Sequence, residues 1–276
     1  MKKYLIVASG FLLIITIYAG CAREMSRTNP FDPQNVTVTG GGGGGSGSDS
    51  YTKVMYHFEG ADSSTTITDD SGNSHNGAVQ LNAQIKTAQK RFGSSSLRLS
   101  GPSIPSASAP DIVTIPNSSD LDFGAGDFTI DCWFRLDALT GQQAIFAGNT
   151  DHWLAAWFVH SFSGHTDKIF YYASSNGTTW DLFGTSSTAV GSISITANAW
   201  HHFAFVRHGN VWTGYIDGQQ DYTTTAAGTL IAKSEVKRIG LFGDGSWSLV
   251  GYIDEFRISK GIARWTANFT PPTAAY

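Results

Sequence analysis

Hydrophobic and polar positions divide the chain into three stretches. Residues 4 to 19 are an almost unbroken apolar run, and residues 22 to 50 have no apolar periodicity. From Tyr51 onward, short apolar or alternating runs recur between clusters of Gly, Asn, Asp and Ser. Spacing of that kind without a long 3.6-residue period predicts an all-β sandwich or barrel. Strands are expected at 54–58, 96–99, 111–115, 128–136, 144–147, 153–161, 168–174, 200–207, 211–216, 238–242 and 249–258. In the segment 128–136, strict alternation puts Phe128, Ile130, Cys132 and Phe134 on one face, so Cys132 reads as a small buried hydrophobe. His208-Gly209-Asn210 between two strand-like runs predicts a hairpin.

The N-terminal stretch resembles a bacterial lipoprotein signal. Lys2 and Lys3 precede the apolar segment Leu5 to Ile17, and Ala19-Gly20-Cys21 supplies the small-residue boundary, with Tyr18 where such signals usually have Leu. The run is shorter than the about 20 residues a spanning helix needs and is interrupted by Ser9, Gly10 and Thr16. A plain secretory signal and an uncleaved anchor are the alternatives. The resemblance implies removal of residues 1–20, lipidation of Cys21 and export. Because Ala22 and not Asp follows the cysteine, the expected address is the outer membrane, on its periplasmic or cell-surface face. Two or more acyl chains suffice for stable anchoring, so the membrane is engaged through the anchor alone. Residues 21–50 then form a flexible tether containing Gly40 to Gly45 and Ser46-Gly47-Ser48, with a mean reach of roughly 30 Å. Residues 51–276 are the folded domain.

Charge narrows the partners. Without Lys2 and Lys3, the 18 basic residues become 16 against 22 acidic ones, a net charge of about −6. With no basic cluster, nucleic acid is excluded as a partner. Cys132 is the only cysteine besides Cys21, so no internal disulfide is available. A domain of this length can bury roughly 70% of its unfolded surface and needs no such staple.

Four segments in order resemble the laminin-G-like, concanavalin A-like jelly-roll domains. They are Asp69-Asp70-Ser71-Gly72-Asn73 with Gly77; Gly126-Asp127-Phe128-Thr129-Ile130-Asp131-Cys132-Trp133; Trp200-His201-His202-Phe203-Ala204 leading to Tyr215-Ile216-Asp217-Gly218; and Gly251-Tyr252-Ile253-Asp254-Glu255-Phe256-Arg257-Ile258. The likeness spans Tyr51 to Tyr276, and the ending from Ala263 to Pro272 is similar to that of such domains in phage tail and bacterial surface proteins. The implied fold is a two-sheet antiparallel jelly-roll sandwich.

The resemblance also implies a structural calcium between the first loop and the last strand, at Asp69, Asn73 and Asp254, with Glu59 and the carbonyl region of Gly77 as further oxygens. The same residues are those that turns favour. Among eight tryptophans, Trp133, Trp200 and Trp212 read as packing residues and Trp265 as a pin for the C-terminal tail. Trp153, Trp157, Trp180 and Trp247 remain as ligand-contact candidates, and Trp153 and Trp157 share strand parity. Adjacent His201 and His202 point to opposite faces and cannot share an ion. Asp254 and Glu255 fail as a glycosidase pair for the same reason, and no Glu-x-Asp-x-x-Glu strand is present.

The expected function is therefore a non-catalytic, lipid-anchored surface module that binds a glycan or a surface protein. A structural or adhesive sandwich of phage-tail type and a polysaccharide-degrading enzyme are the alternatives.

Overall fold

The computed structural model describes residues 48–101, 111–149, 152–184, 188–242 and 247–276. Lipidation at Cys21 and nearly all of the tether lie outside them. The strands are β1 (Thr52–Tyr56), β2 (Thr66–Ile67), β3 (Gly77–Gln80), β4 (Gln84–Lys86), β5 (Ser96–Ser100), β6 (Ile112–Ile115), β7 (Phe128–Leu136), β8 (Gln142–Gly148) and β9 (Leu154–Phe162). They continue with β10 (His165–Ala173), β11 (His201–His208), β12 (Val211–Ile216), β13 (Gln219–Thr225), β14 (Lys237–Ile239), β15 (Leu241–Phe242), β16 (Trp247–Ser248) and β17 (Val250–Lys260).

Two antiparallel sheets carry the architecture. One has eight strands in the order β13-β12-β11-β7-β17-β5-β4, with β1 also pairing β17; the other has seven in the order β10-β9-β8-β14-β6-β3-β2. This is the jelly-roll sandwich expected from the sequence. The core between the sheets follows from strand parity. Phe128, Ile130, Cys132, Phe134 and Leu136 of β7 face inward and meet Leu154, Ala156 and Phe158 of β9 and Ile169, Tyr171 and Ala173 of β10 in one cluster. Phe203 of β11 touches both Phe146 and Tyr171 across the interface, at ring separations of 6.0 and 6.2 Å. Cys132 is fully buried, and burial pushes its thiol pKa up, which suits an inert packing residue.

Both outer faces are partly covered. On the eight-stranded sheet, the C-terminal tail lays Trp265 and Phe269 over Ala204, Val206 and Tyr215. Trp265 stacks on Phe269 at 4.0 Å. At the other end of the domain sequence, Asp49, two residues before Tyr51, pairs with Arg264 at 3.0 Å.

One deviation from the predicted strands shapes the rest of the molecule. The run 238–242 is broken at Gly240, which sits at φ +86 where a β-carbon would strike Leu99. That left-handed residue ends β14 in the large sheet and sends β15 out to pair with β16 as a separate two-stranded ribbon beside β8. Among the described residues, no helix is long and apolar enough to cross a membrane.

Candidate functional site

On β9 and β10 the residues of opposite parity to the core, joined by Ala144 and Ala147 on either side of a bulge in β8, make a second apolar cluster, on the outer face of the seven-stranded sheet. It contains Ala144, Ala147, Ala155, Trp157, Phe170 and Tyr172. Trp157 is in register with Ala144 on one side and Phe170 on the other. Small neighbours leave room for its indole to lie over the sheet. Tyr172 stacks on Trp157 at 4.3 Å, and the ribbon adds Phe242, nearly parallel at 5° and 5.2 Å, and Trp247, also at 5.2 Å. Phe242 and Trp247 are cross-strand partners within the ribbon.

A groove of about 550 Å³ opens beside this stack. Its apolar surface comes from Trp157, Phe162, Tyr172, Trp180 and Trp247, and its polar groups are Gln142, His152, Thr178 and Thr179. Phe162 is 38% exposed. Trp180 meets Tyr172 edge-on at 5.2 Å and His152 at 4.6 Å. Burial pushes the Tyr172 phenol up to about 12, so it is a neutral hydroxyl at physiological pH.

The loop that presents Trp180 is held by its own side chains. The Asn176 Oδ1 accepts from the backbone N–H groups of Thr178 and Thr179 at 2.8 and 2.9 Å, an Asx-type turn, and Gly177 takes φ +75. Asp181 accepts from the Ser175 N–H at 2.8 Å and from the hydroxyls of Ser174 and Ser175. Hydrogen bonds from Ser175 hold its carboxyl down at about 2. Lys233 donates to the Gly177 carbonyl at 3.2 Å. A loop fixed this way presents its indole with little ordering cost on binding.

Three of the four candidate tryptophans thus meet at one groove, although they are far apart in sequence. Trp153 does not join them. Strand parity paired it with Trp157, but β9 begins at Leu154, and in the bend before it the Trp153 side chain turns into the core. There it is 1% exposed, stacks near Phe123 at 5.9 Å and lies under the Lys237 ammonium at 4.8 Å. Pleat parity holds only inside the strand. Sequence reasoning missed Tyr172, Phe242, Phe162, His152 and Gln142. For Tyr172 a signal existed, since Phe170 and Tyr172 alternate with the core residues Ile169, Tyr171 and Ala173.

The calcium expectation does not fit the donors. Asp69 Oδ1 accepts from the N–H groups of Met55 and Ser71, and its Oδ2 from the Ser71 hydroxyl and the His75 N–H, all at 2.8–3.0 Å. Those four bonds fill the acceptor positions of a carboxylate. Asp254 faces elsewhere, taking N–H groups of Arg91 and Phe92 at 2.7 and 3.1 Å and of Glu255 at 3.0 Å. Glu59 binds the N–H and hydroxyl of Ser94. Asn73 donates through Nδ2 to the carbonyls of Thr52 and Lys53 at 3.0 and 3.2 Å. Gly77 lies in β3, where a β-carbon would strike Val113 and Ile67. Among the described residues no cluster of three acidic, His or Cys side chains could hold a metal. These five residues are turn and packing elements, and calcium is not assigned to them.

Burial pushes the Asp254 carboxyl up to about 8, against the pull of its three N–H donors. The folded state then holds a proton that the unfolded chain, with an ordinary Asp, releases near pH 4. Stability contributed by this group is therefore lost as pH rises from about 4 to 8. Melting curves of the wild type and Asp254→Asn across that range check the sign: the wild type should lose stability with rising pH, and the variant should lose less.

Asp254 and Glu255 also part company chemically. A bulge between Asp254 and Arg257, with Glu255 at φ +51, breaks the alternation of β17. Glu255 turns to His57 at 2.8 Å and to the Tyr276 N–H at 3.1 Å, away from the partners of Asp254.

Solved structures share this fold. Domain 4 of AbnA, a GH43 extracellular arabinanase from Geobacillus stearothermophilus in complex with arabinotriose, superposes with a TM-score of 0.56 at 17% identity, over 77% of this chain and 93% of that one. The binding domain of Paraclostridial Mosquitocidal Protein 1 gives 0.55 at 16%, over 78% of this chain and 50% of that one. The binding domain of botulinum neurotoxin DC in complex with SialylT gives 0.52 at 13%, over 78% and 49%. This chain spans about half the length of the two toxin domains. No curated protein matches the sequence. The family model of the concanavalin A-like lectin/glucanases superfamily matches residues 108–264, more than half of the sequence and including β6 through β17, so the chain belongs to that superfamily.

Proposed function

We propose that this protein is a non-catalytic recognition module that binds glycan in the aromatic groove on the outer face of the seven-stranded sheet. The observation that carries the reading is the convergence of Trp157, Trp180 and Trp247 with Tyr172 on one groove of about 550 Å³. Pockets of this size, mostly apolar with a few fixed polar groups, bury a ligand the size of a short oligosaccharide. Apolar sugar faces stack on the rings, and hydroxyls exchange hydrogen bonds with Gln142, His152, Thr178 and Thr179. The complexes of related domains with arabinotriose and SialylT support a saccharide ligand. Binding without catalysis is supported by the lining, whose described residues include no carboxylate pair of the kind glycoside hydrolysis uses. The signal-like N-terminus supports export and a lipid anchor at Cys21 in the outer membrane, with the sandwich displayed on a tether.

The test is a broad glycan array probed with the full chain in a detergent lacking a sugar head group. A selective set of glycans should bind, and Trp180→Ala should lower that signal at least tenfold while the protein stays folded. Silence of the folded wild type on the array would overturn the reading and leave a surface protein as the ligand.

A further inference from the structure

Among the described residues that line the groove, none carries a fixed charge. Its described lining consists of aromatic rings, the uncharged polar groups of Gln142, Thr178, Thr179 and Tyr172, the His152 imidazole and Gly184. Charges of both signs stand nearby. Asp181 follows Trp180 directly and is kept ionised by Ser174 and Ser175. The Lys233 ammonium is directed at the Gly177 carbonyl. The sequence stretches that adjoin lining residues, 150–151, 185–187 and 243–246, contain Asp151 and Asp244 but no Lys or Arg.

We infer that the groove selects neutral saccharides and discriminates against the same sugars carrying a carboxylate or sulfate. The inference rests on the glycan-binding reading above. Two physical effects act in one direction. An anion entering the groove gives up hydration with no ammonium or guanidinium to replace it. The faces of the aromatic rings carry the negative lobe of their quadrupole, which attracts cations and the slightly positive C–H faces of neutral sugars and repels anions. Five of the ten described lining residues are Trp, Tyr or Phe, spread along the groove, so the selectivity belongs to the groove as a whole.

The experiment compares matched pairs on the full chain by titration calorimetry. Lactose is set against sialyllactose, and maltotriose against its C6-oxidised uronate, with the array's preferred neutral glycan as a third backbone and its carboxylated form. Neutral members should bind at least tenfold more tightly than their acidic partners, with both losing affinity in Trp180→Ala. Thr179→Lys, which adds an ammonium at the rim, should raise the affinity for the acidic member relative to its neutral partner several-fold. Equal or tighter binding of the acidic member, still lost in Trp180→Ala, would overturn the selectivity and leave the glycan site standing. Binding of both members that ignores Trp180→Ala and Trp247→Ala would overturn the site and the selectivity together.

Discussion

Replacing Arg257 with methionine should lower the stability of the domain by about 3–5 kcal/mol, the cost of leaving a buried charge without its partner. Arg257 donates through Nε and Nη2 to the two oxygens of Asp131 at 3.1 and 3.0 Å, a bidentate pair on adjacent strands β17 and β7. Asp131 is wholly buried. Burial alone pushes its carboxyl up, but the Arg257 guanidinium and the His202 contact outweigh that and hold it well below the ordinary range. The Tyr276 hydroxyl donates to Asp131, and its ring lies 3.8 Å from the guanidinium carbon. The His202 Nε2 lies 3.1 Å from the same hydroxyl. The pair thus ties the central strands to the C-terminal tail. For a domain of this size the loss corresponds to a fall in Tm on the order of 10 °C. The double change Arg257→Met with Asp131→Leu should recover part of the loss, because it removes both charges. Calorimetric melting of the three variants decides it; a single variant within about 0.5 kcal/mol of wild type would show that the pair contributes little.

Trp153→Ala and Trp180→Ala should fail in opposite ways. Trp153 fills the core, so its truncation should cost about 3–5 kcal/mol of stability and leave ligand affinity of the folded fraction near wild type. Trp180 is half-buried at the groove rim, so its truncation should spare most of the stability and cost about 2 kcal/mol of binding, roughly 30-fold in Kd. Melting and titration on both variants separate the two roles. Equal loss of binding in both would mean that the groove is not where the ligand sits.

How much could be read from the chain depended on whether the information was local. β7 and β12 occupy the residues expected, because unbroken alternation between a buried and a covered face has one register. Strands β2, β3, β4 and β13 escaped notice. Gln219–Thr225 is rich in Gln and Thr and largely exposed, so it carries no apolar alternation to find. The break at Gly240 was also hidden, since a glycine inside an apolar run looks the same whether the strand continues or turns away. For the candidate site, the sequence pointed to the right residue type but not to the assembly. Trp157, Trp180 and Trp247 lie on a strand, a loop and a ribbon, and only strand order and the left-handed turn at Gly240 bring them together. Parity misplaced Trp153 because it was extended one residue beyond the strand. The acidic residues taken for calcium ligands misled for a related reason, since Asp69, Asp254 and Glu59 do bind ligands of a kind, but these are backbone N–H groups of their own chain.

The account stands on ligand occupying the aromatic groove. Indole N–H resonances of the full chain labelled with ¹⁵N-tryptophan report this directly during titration with the array's preferred glycan. Shifts concentrated on Trp157, Trp180 and Trp247, with Trp153 and Trp212 unmoved, are the predicted result. Shifts confined to Trp133 and Trp265, on the outer face of the other sheet, would contradict it and place the ligand elsewhere.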